Sequence, residues 1–224
     1  LMTANSDIPQ ADWAFPTQIR FGPGRVRELP EACRALGMAR PLLVCDSGLA
    51  ALPMTAAILS ACGVDGLGIA LFSDVQANPV ERNVTDGVAA FHAGNHDGVV
   101  ALGGGSSLDV GKAIALMTVQ SYPVHELTIA SFQDFTEIQS KLVTDGLPPV
   151  ITVPTTSGTG SEIGRASALI NEESQTKKGL FHPVMMPQVC LADPELTLSC
   201  RPPSRRLSGS MHCHILLKPI AAPF

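Results

Sequence analysis

Features that would indicate several other protein classes are missing from this 224-residue sequence. No apolar run reaches the roughly 18 to 20 residues that a membrane-spanning helix needs. The 15 lysines and arginines are scattered and the net charge is −5, which argues against a nucleic-acid-binding surface. The six cysteines include no CxxC pair, a pattern typical of reduced, buried thiols rather than of a disulfide framework.

The first ten residues, LMTANSDIPQ, also lack a basic segment followed by an apolar one. The sequence therefore predicts no secretion signal. Together with the reduced cysteines, this favours a cytoplasmic protein. Small molecules or other protein subunits are its expected partners, without membrane or nucleic acid.

What the sequence does contain is a regular alternation of short apolar runs and helical patterns, and its 45% hydrophobic content suffices for a packed core. Helical spacing between the runs predicts an α/β fold, a Rossmann-like layered parallel sheet with crossover helices. Residues 121–149 are more polar and are predicted to form loop and short helix. The predicted buried strands are PLLVCD (41–46), LGIALF (67–72), GVVAL (98–102) and PVITVP (149–154).

The third predicted strand runs into three consecutive glycines, in VVALGGGSSLDVGKAIAL. Gly103, Gly104 and Gly105 permit positive φ angles and leave no Cβ in the way of a ligand. Ser106 or Ser107 is predicted to cap the next helix, whose N–H groups and dipole attract an anion. This predicts a phosphate-binding turn, although the spacing matches neither GxGxxG nor Walker A. The alternative is a tight connection without a ligand.

A second polar loop, PTTSGTGSE at 154–162, follows the fourth predicted strand. Its hydroxyl groups and amides suit a polar ligand, whereas the alternative is a Ser/Thr-rich surface turn. Because successive parallel strands end at one edge of a sheet, the two loops together predict a shared nucleotide cleft.

Asp46 ends the first predicted strand, in LLVCDSG. Its carboxylate can accept hydrogen bonds from the adenine ribose and repel a 2′-phosphate, which favours NAD over NADP. The alternative is an aspartate that caps a helix in the turn. Asp46 precedes the glycine turn in the chain, the reverse of an ordinary Rossmann unit, so the predicted cofactor domain is a variant.

The segments GGGSSLDVGKAIA, PTTSGTGSE and PQVCLADPELTLS together resemble the iron-dependent alcohol dehydrogenase family. FPTQIRFGPGRVRELP looks like the opening hairpin and first helix of that family, so the resemblance runs from about Phe15 to Ser199. It implies a dehydroquinate synthase-like N-terminal α/β domain that binds NAD(P), and a helical C-terminal domain that holds a divalent metal, usually iron. The activity it implies is reversible oxidation of an alcohol to an aldehyde or ketone.

The resemblance also assigns cofactor contacts by position. Lys177 matches a lysine that reaches a ribose, and Lys178 fits the family spacing less well. Asp109 corresponds to an aspartate near the reactive end of the cofactor, or it is a first-turn carboxylate favoured by the helix dipole. No catalytic residue is assigned. The remaining implied contacts are Asp46 and Asn78, the pyrophosphate turn of Gly103, Gly104, Gly105 and Ser106, and the loop of Thr155, Thr156, Ser157, Gly158 and Thr159.

The family pattern stops near Ser199. The family's metal ligands, one Asp and three His, begin with Gly-x-Asp-Ala-x-x-His soon after the DPELTLS segment, and no such string follows here. His212 and His214 have a spacing that suits two ligands only on an extended segment, and Asp193 is expected to cap the strand end. We therefore predict a domain over 1–199 and an aberrant tail over 200–224, without metal ligands.

Reverse translation of SMHCHILLKPIA, read one base earlier, permits Asp-Ala-Leu-Ser-His-x-x-Glu-Ala-Tyr, the ligand segment expected at this place. The hypothesis is a frameshift near Ser199 or Cys200, which predicts weak nucleotide binding and negligible dehydrogenase activity for the chain as given. Alternatives are a non-catalytic nucleotide-binding module or an incompletely folded fragment. Within the enzyme class, maleylacetate reductase and glycerol dehydrogenase are alternatives. The resemblance is compatible with a homodimer, because members of the family commonly pair through their N-terminal domains.

Overall fold

A parallel sheet of six strands forms the centre of the computed structural model, which describes residues 16–129 and 135–198. All pairs of neighbouring strands in this sheet are parallel, as the sequence predicts. In spatial order the strands are β1 (Gln18–Phe21), β8 (Val189–Ala192), β5 (Val150–Pro154), β4 (Gly98–Gly103), β2 (Pro41–Val44) and β3 (Ala70–Phe72).

Helices connect the strands and cover both faces of the sheet. Prolines stand in the first turns of α1 and α3, where the missing N–H costs no helical hydrogen bond. The helices are α1 (Leu29–Ala35), α2 (Ser47–Ala50), α3 (Pro53–Val64), α4 (Glu81–Ala93), α5 (Gly105–Met117), α6 (Val124–Leu127) and α7 (Phe135–Lys141).

Alternation along the strands creates a hydrophobic core on each face. Leu42 and Val44 of β2 lie in the cluster that contains the apolar side chains of α4 and α5. Leu43 of β2 lies in the other cluster, with side chains from α1 and α3. A strand buried on both faces reads as a continuous apolar run, which is why the runs of β2, β4 and β5 are recognisable. All four predicted strands are present, but β3 is a partly exposed edge strand and not a buried one, with Leu71 on the surface. The strands β2, β3 and β5 are shorter than predicted, and β4 extends by one residue to Gly103.

Helix α5 lies unusually close to β4. A Cβ atom on Gly111 would stand 2.6 Å from the Cβ of Ala101, so only glycine permits this approach. This close packing fixes where α5 begins relative to the end of β4. It thereby also restricts Gly103, Gly104 and Gly105, which join the two elements.

Two features differ from the sequence-based prediction. Within 16–30, where an opening hairpin was predicted, there is a single strand, β1, which pairs in parallel with β8. An antiparallel hairpin of β6 (Ala166–Ile170) and β7 (Lys177–Phe181) was not predicted. Its strands are only partly buried, so they lack the apolar run that marks the central strands.

The excursion predicted over 121–149 contains α6 and α7. Asp193 caps a 3-10 turn after β8, as expected, because its Oδ1 accepts the Glu195 amide at 3.0 Å. None of the described helices has the length and hydropathy needed to cross a lipid bilayer.

Candidate functional site

The two polar loops lie side by side at the carboxyl edge of the sheet. We call Gly103, Gly104 and Gly105 the glycine turn and 154–162 the threonine loop. Gly103 pairs with Pro154 in the register of β4 and β5, and the Gly103 carbonyl accepts the Thr155 amide at 2.9 Å. Main-chain pairing therefore places the loops together, as the parallel topology predicts.

The glycine turn leaves no room for side chains. Gly103 has a φ of +142°, and a Cβ there would stand 2.7 Å from the Ser107 hydroxyl oxygen. A Cβ on Gly104 would stand 3.2 Å from Thr156 Oγ1, and one on Gly105 3.1 Å from Thr159 Cγ2. The main chain of the bare turn thus lies directly against the threonine side chains of the loop. Such a concavity allows a ligand to approach backbone amides.

The prediction that Ser106 or Ser107 caps α5 is wrong. Helix α5 begins at Gly105 and its N-cap is Gly104, so both serines lie inside the first turn. Because the N-cap residue is glycine, it has no side chain with which to occupy the first amides. Those amides and the helix dipole point towards an anion site instead.

A cavity of about 460 Å³ opens in front of the glycine turn, and we call it the Asp46 cavity. Asp46 lies at its rim and also caps α2, since its Oδ1 accepts the Leu49 amide at 2.9 Å. The alternative that Asp46 caps a helix is therefore confirmed. The capping carboxylate also lines the cavity. The lining residues are Asp46, Ser47, Leu49, Val75, Gln76, Ala77, Gly104, Gly105, Ser106, Ser107, Thr155 and Thr156.

A second cavity of about 290 Å³ adjoins the first, and Gly105 and Ser106 line both. We call it the Lys177 cavity. Asn78 enters its wall with a φ of +56°, a left-handed conformation that asparagine tolerates better than most residues. The lining residues are Asn78, Pro79, Gly105, Ser106, Asp109, Thr159, Ser161, Ala168 and Lys177.

The two cavities thus bring together ten of the thirteen predicted contact residues. Gly103, at the end of β4, lines neither cavity. Ser157 and Gly158 also line neither, although both belong to the threonine loop. Ser157 is buried, and Gly158 has a φ of +111°, so they shape the loop from within. Lys178, the neighbour of Lys177, is also not among the lining residues of either cavity.

Asp109 lies in the second turn of α5 and not in the first, so the helix-dipole alternative does not explain it. Its Oδ2 accepts the Ala168 amide at 3.1 Å, and its Oδ1 lies 3.2 Å from Lys112 Nζ. Burial lowers the pKa of Lys112 below its ordinary value, while the Asp109 carboxylate opposes that shift. Sequence reasoning missed Lys112, although a lysine amid the apolar residues of GKAIAL was the signal.

A metal centre is not formed by the residues that the structure describes, since no group of three or more His, Cys, Asp or Glu side chains among them could hold an ion. These residues do not fit a catalytic iron, so we derive no step through one. His212 and His214, together with the predicted tail over 200–224, lie outside the described residues.

The family model for iron-containing alcohol dehydrogenases matches residues 16–194. This chain belongs to that family. The match covers the whole main sheet and both polar loops, and it ends five residues before the end of the predicted resemblance over 15–199.

Three relatives illustrate the likeness. The chain is 37% identical over 184 residues to 4-hydroxybutyrate dehydrogenase of Cupriavidus necator, covering 82% of this chain and 46% of the relative. Its structure resembles a 1,3-propanediol oxidoreductase with a TM-score of 0.76 and 31% identity, covering 87% of this chain and 48% of the other. Sulfoacetaldehyde reductase from Bifidobacterium kashiwanohense, crystallised with NAD⁺, gives a TM-score of 0.76 at 29% identity, covering 87% and 49%. The chain therefore spans about half the length of the relatives it matches.

Proposed function

We propose that this chain is the NAD-binding part of an alcohol dehydrogenase, in which hydride passes between an alcohol carbon and the nicotinamide ring. The observation that carries the proposal is the pairing of the bare glycine turn with the threonine loop at the origin of α5. A pyrophosphate suits this cradle, because it carries negative charge and the cradle offers the main-chain amides of the glycine turn beside the hydroxyl-bearing side chains of Thr156 and Thr159.

The two adjoining cavities suit the two halves of a dinucleotide. We assign the adenosine to the Asp46 cavity, where the carboxylate accepts hydrogen bonds from ribose hydroxyls. The nicotinamide half then enters the Lys177 cavity, where Lys177 donates to its ribose and Asn78 holds the loop beside it. Gly105 and Ser106 line both cavities, which suits a pyrophosphate that joins the two halves.

Cofactor choice follows from charge at the adenosine end. A 2′-phosphate on the ribose would stand close to the Asp46 carboxylate, and two like charges in a partly enclosed cavity repel each other. We therefore propose NAD rather than NADP as the cofactor. The sulfoacetaldehyde reductase relative, whose structure contains NAD⁺, supports this assignment.

The substrate of the whole protein is proposed to be a small alcohol or the corresponding aldehyde. The relatives named for 4-hydroxybutyrate and 1,3-propanediol support that class. Bound nicotinamide supplies the hydride acceptor or donor, and the residues described here bind and orient it.

Fluorescence titration with NADH and NADPH tests the proposal directly. We expect saturable binding of NADH by the chain and at least tenfold weaker binding of NADPH, a difference of about 1.4 kcal/mol. Comparable binding of the two nucleotides would remove the role given to Asp46. Failure to bind either nucleotide would contradict the proposed function as a whole.

A further inference from the structure

The side chain of Lys112 is completely buried although it carries an ammonium group. It stands on α5, one turn beyond Asp109, and points between the helix and the start of β6. Burying a charge is costly unless it is paired and hydrogen-bonded. A methionine would fill a similar volume without that cost, so filling space does not account for a lysine here.

The partners of the ammonium group lie on its own helix and at the start of β6. Nζ donates to the Gly164 carbonyl at 3.2 Å and to the Ala166 carbonyl, and it lies 3.2 Å from Asp109 Oδ1. Gly164 lies two residues after the threonine loop, and Ala166 is the first residue of β6. Lys112 therefore joins α5 to the segment that connects the loop with the hairpin.

Two further hydrogen bonds strengthen the same junction. The Ser167 hydroxyl donates to the Asp109 carbonyl at 2.7 Å, and the Ala168 amide donates to Asp109 Oδ2 at 3.1 Å. We call Lys112, Asp109 and Ser167 the α5–β6 clamp. Each of its three side chains makes a hydrogen bond across the interface between α5 and the start of the hairpin, which no continuous sheet pairing holds. The ion pair of Asp109 with Lys112 lies within α5.

The clamp is connected to the wall of the Lys177 cavity. Asp109 and Ala168 line that cavity themselves. Strand β7 pairs with β6 so that Lys177 stands opposite Ile170, at the end of the hairpin register. The position of Lys177 relative to α5 thus depends on where β6 is held. The clamp holds the first three residues of β6, and the Ile170 amide holds its last residue by donating to the Pro79 carbonyl at 2.8 Å.

We propose that Lys112 is a positioning residue that fixes the hairpin against α5 and so sets the shape of the Lys177 cavity. This inference rests on the proposed function, because it assigns the nicotinamide half of NAD to that cavity. It predicts that loss of the ammonium group weakens contacts with that half while the adenosine end, carried by the main sheet, is retained.

The test compares NADH with ADP, which lacks the nicotinamide half, by calorimetric titration of Lys112→Met. We expect NADH to bind at least tenfold more weakly than to the unmodified chain, and ADP affinity to change by less than twofold. Ile114→Ala is the matched control, because Ile114 is equally buried on α5 but packs towards Gly87 of α4. This control should lower the melting temperature and leave the ratio of NADH to ADP affinity unchanged.

An unchanged ratio in Lys112→Met, or an equal loss of both ligands, would overturn the inference. Should Lys112→Met fail to fold, Ser167→Ala removes one clamp hydrogen bond at lower cost. It should shift the ratio in the same direction by about threefold, and an unchanged ratio would again overturn the inference. If the unmodified chain binds neither ligand, the proposed function itself has failed, an outcome distinct from binding with an insensitive ratio.

Discussion

The two ends of the cleft are built in different ways. The Asp46 cavity is framed by loops that leave β2, β4 and β5, strands paired side by side in the main sheet. The Lys177 cavity is partly framed by the β6–β7 hairpin, which lies outside that sheet. Continuous main-chain pairing positions the first end, whereas isolated hydrogen bonds and buried side chains position the second.

This contrast has an energetic consequence. β4 and β5 pair over five residues, and the Thr155 amide extends the ladder into the threonine loop. The hairpin is held to α5 by the clamp, and beside α4 by the Ile170 amide, which donates to the Pro79 carbonyl at 2.8 Å. We therefore expect a single side-chain change to disturb the Lys177 cavity more readily than the Asp46 cavity.

The largest effect is expected for Gly103→Ala. This change should weaken binding at the Asp46 cavity and at the Lys177 cavity alike, because the glycine turn stands between the two. Alanine at a φ of +142° is strained, and its Cβ would collide with Ser107 at 2.7 Å from Oγ. A binding loss of about 2 kcal/mol corresponds to roughly 30-fold for ADP and NADH alike. Titration calorimetry measures both affinities.

Gly146→Ala is the control for Gly103→Ala. Gly146 has a φ of +75°, and a Cβ there meets nothing within 4 Å. Alanine at Gly146 therefore carries left-handed backbone strain without a steric collision or a place in the cleft. If Gly146→Ala weakens both ligands as strongly as Gly103→Ala, general destabilisation rather than the turn explains the loss.

Asp46→Ser should affect the adenosine end alone. Serine preserves the ability to cap α2 but removes the negative charge. We expect the preference for NADH over NADPH to fall by about tenfold, or roughly 1.4 kcal/mol, with little change in melting temperature. Fluorescence titration of both nucleotides gives the ratio, and a ratio equal to that of the unmodified chain would show that the carboxylate does not discriminate.

Lys177→Gln should produce the smallest effect, and it should weaken only the contacts made in the Lys177 cavity. The side chain is exposed, so loss of its charge is worth well under 1 kcal/mol, or about threefold weaker NADH binding. ADP binding should not change. Lys178→Gln removes the same charge from the neighbouring residue on β7, and an equal loss in this variant would indicate a general charge effect instead of a contact.

The residues around the Asp46 cavity were easier to predict from the sequence than those around the Lys177 cavity. Buried parallel strands leave continuous apolar runs, and residues such as Gly103 and Asp46 stand directly after those runs. Parallel topology then requires them to share one edge of the sheet. The helix start was misjudged because Gly104, and not a serine, forms the N-cap, a choice that depends on the approach of α5 to β4 at Gly111.

The residues around the Lys177 cavity, which the β6–β7 hairpin partly frames, were harder to predict from the sequence. Strands β6 and β7 are only partly buried, and their sequences ASALI and KKGLF include serine and lysine, so they show no continuous apolar run. Lys112 joins elements more than fifty residues apart in the chain, and helical periodicity describes only local neighbours. The resemblance to a family identified Asn78, Asp109 and Lys177, whereas the buried lysine that connects their surroundings became visible only in the structure.

If the two cavities form one dinucleotide site, ADP must displace bound NADH. NADH fluorescence during titration of the unmodified chain with ADP measures this displacement. We expect one NADH per chain and complete competitive displacement by ADP, because both ligands require the Asp46 cavity and the glycine turn. NADH that stays bound at saturating ADP would show that the two cavities do not form one site.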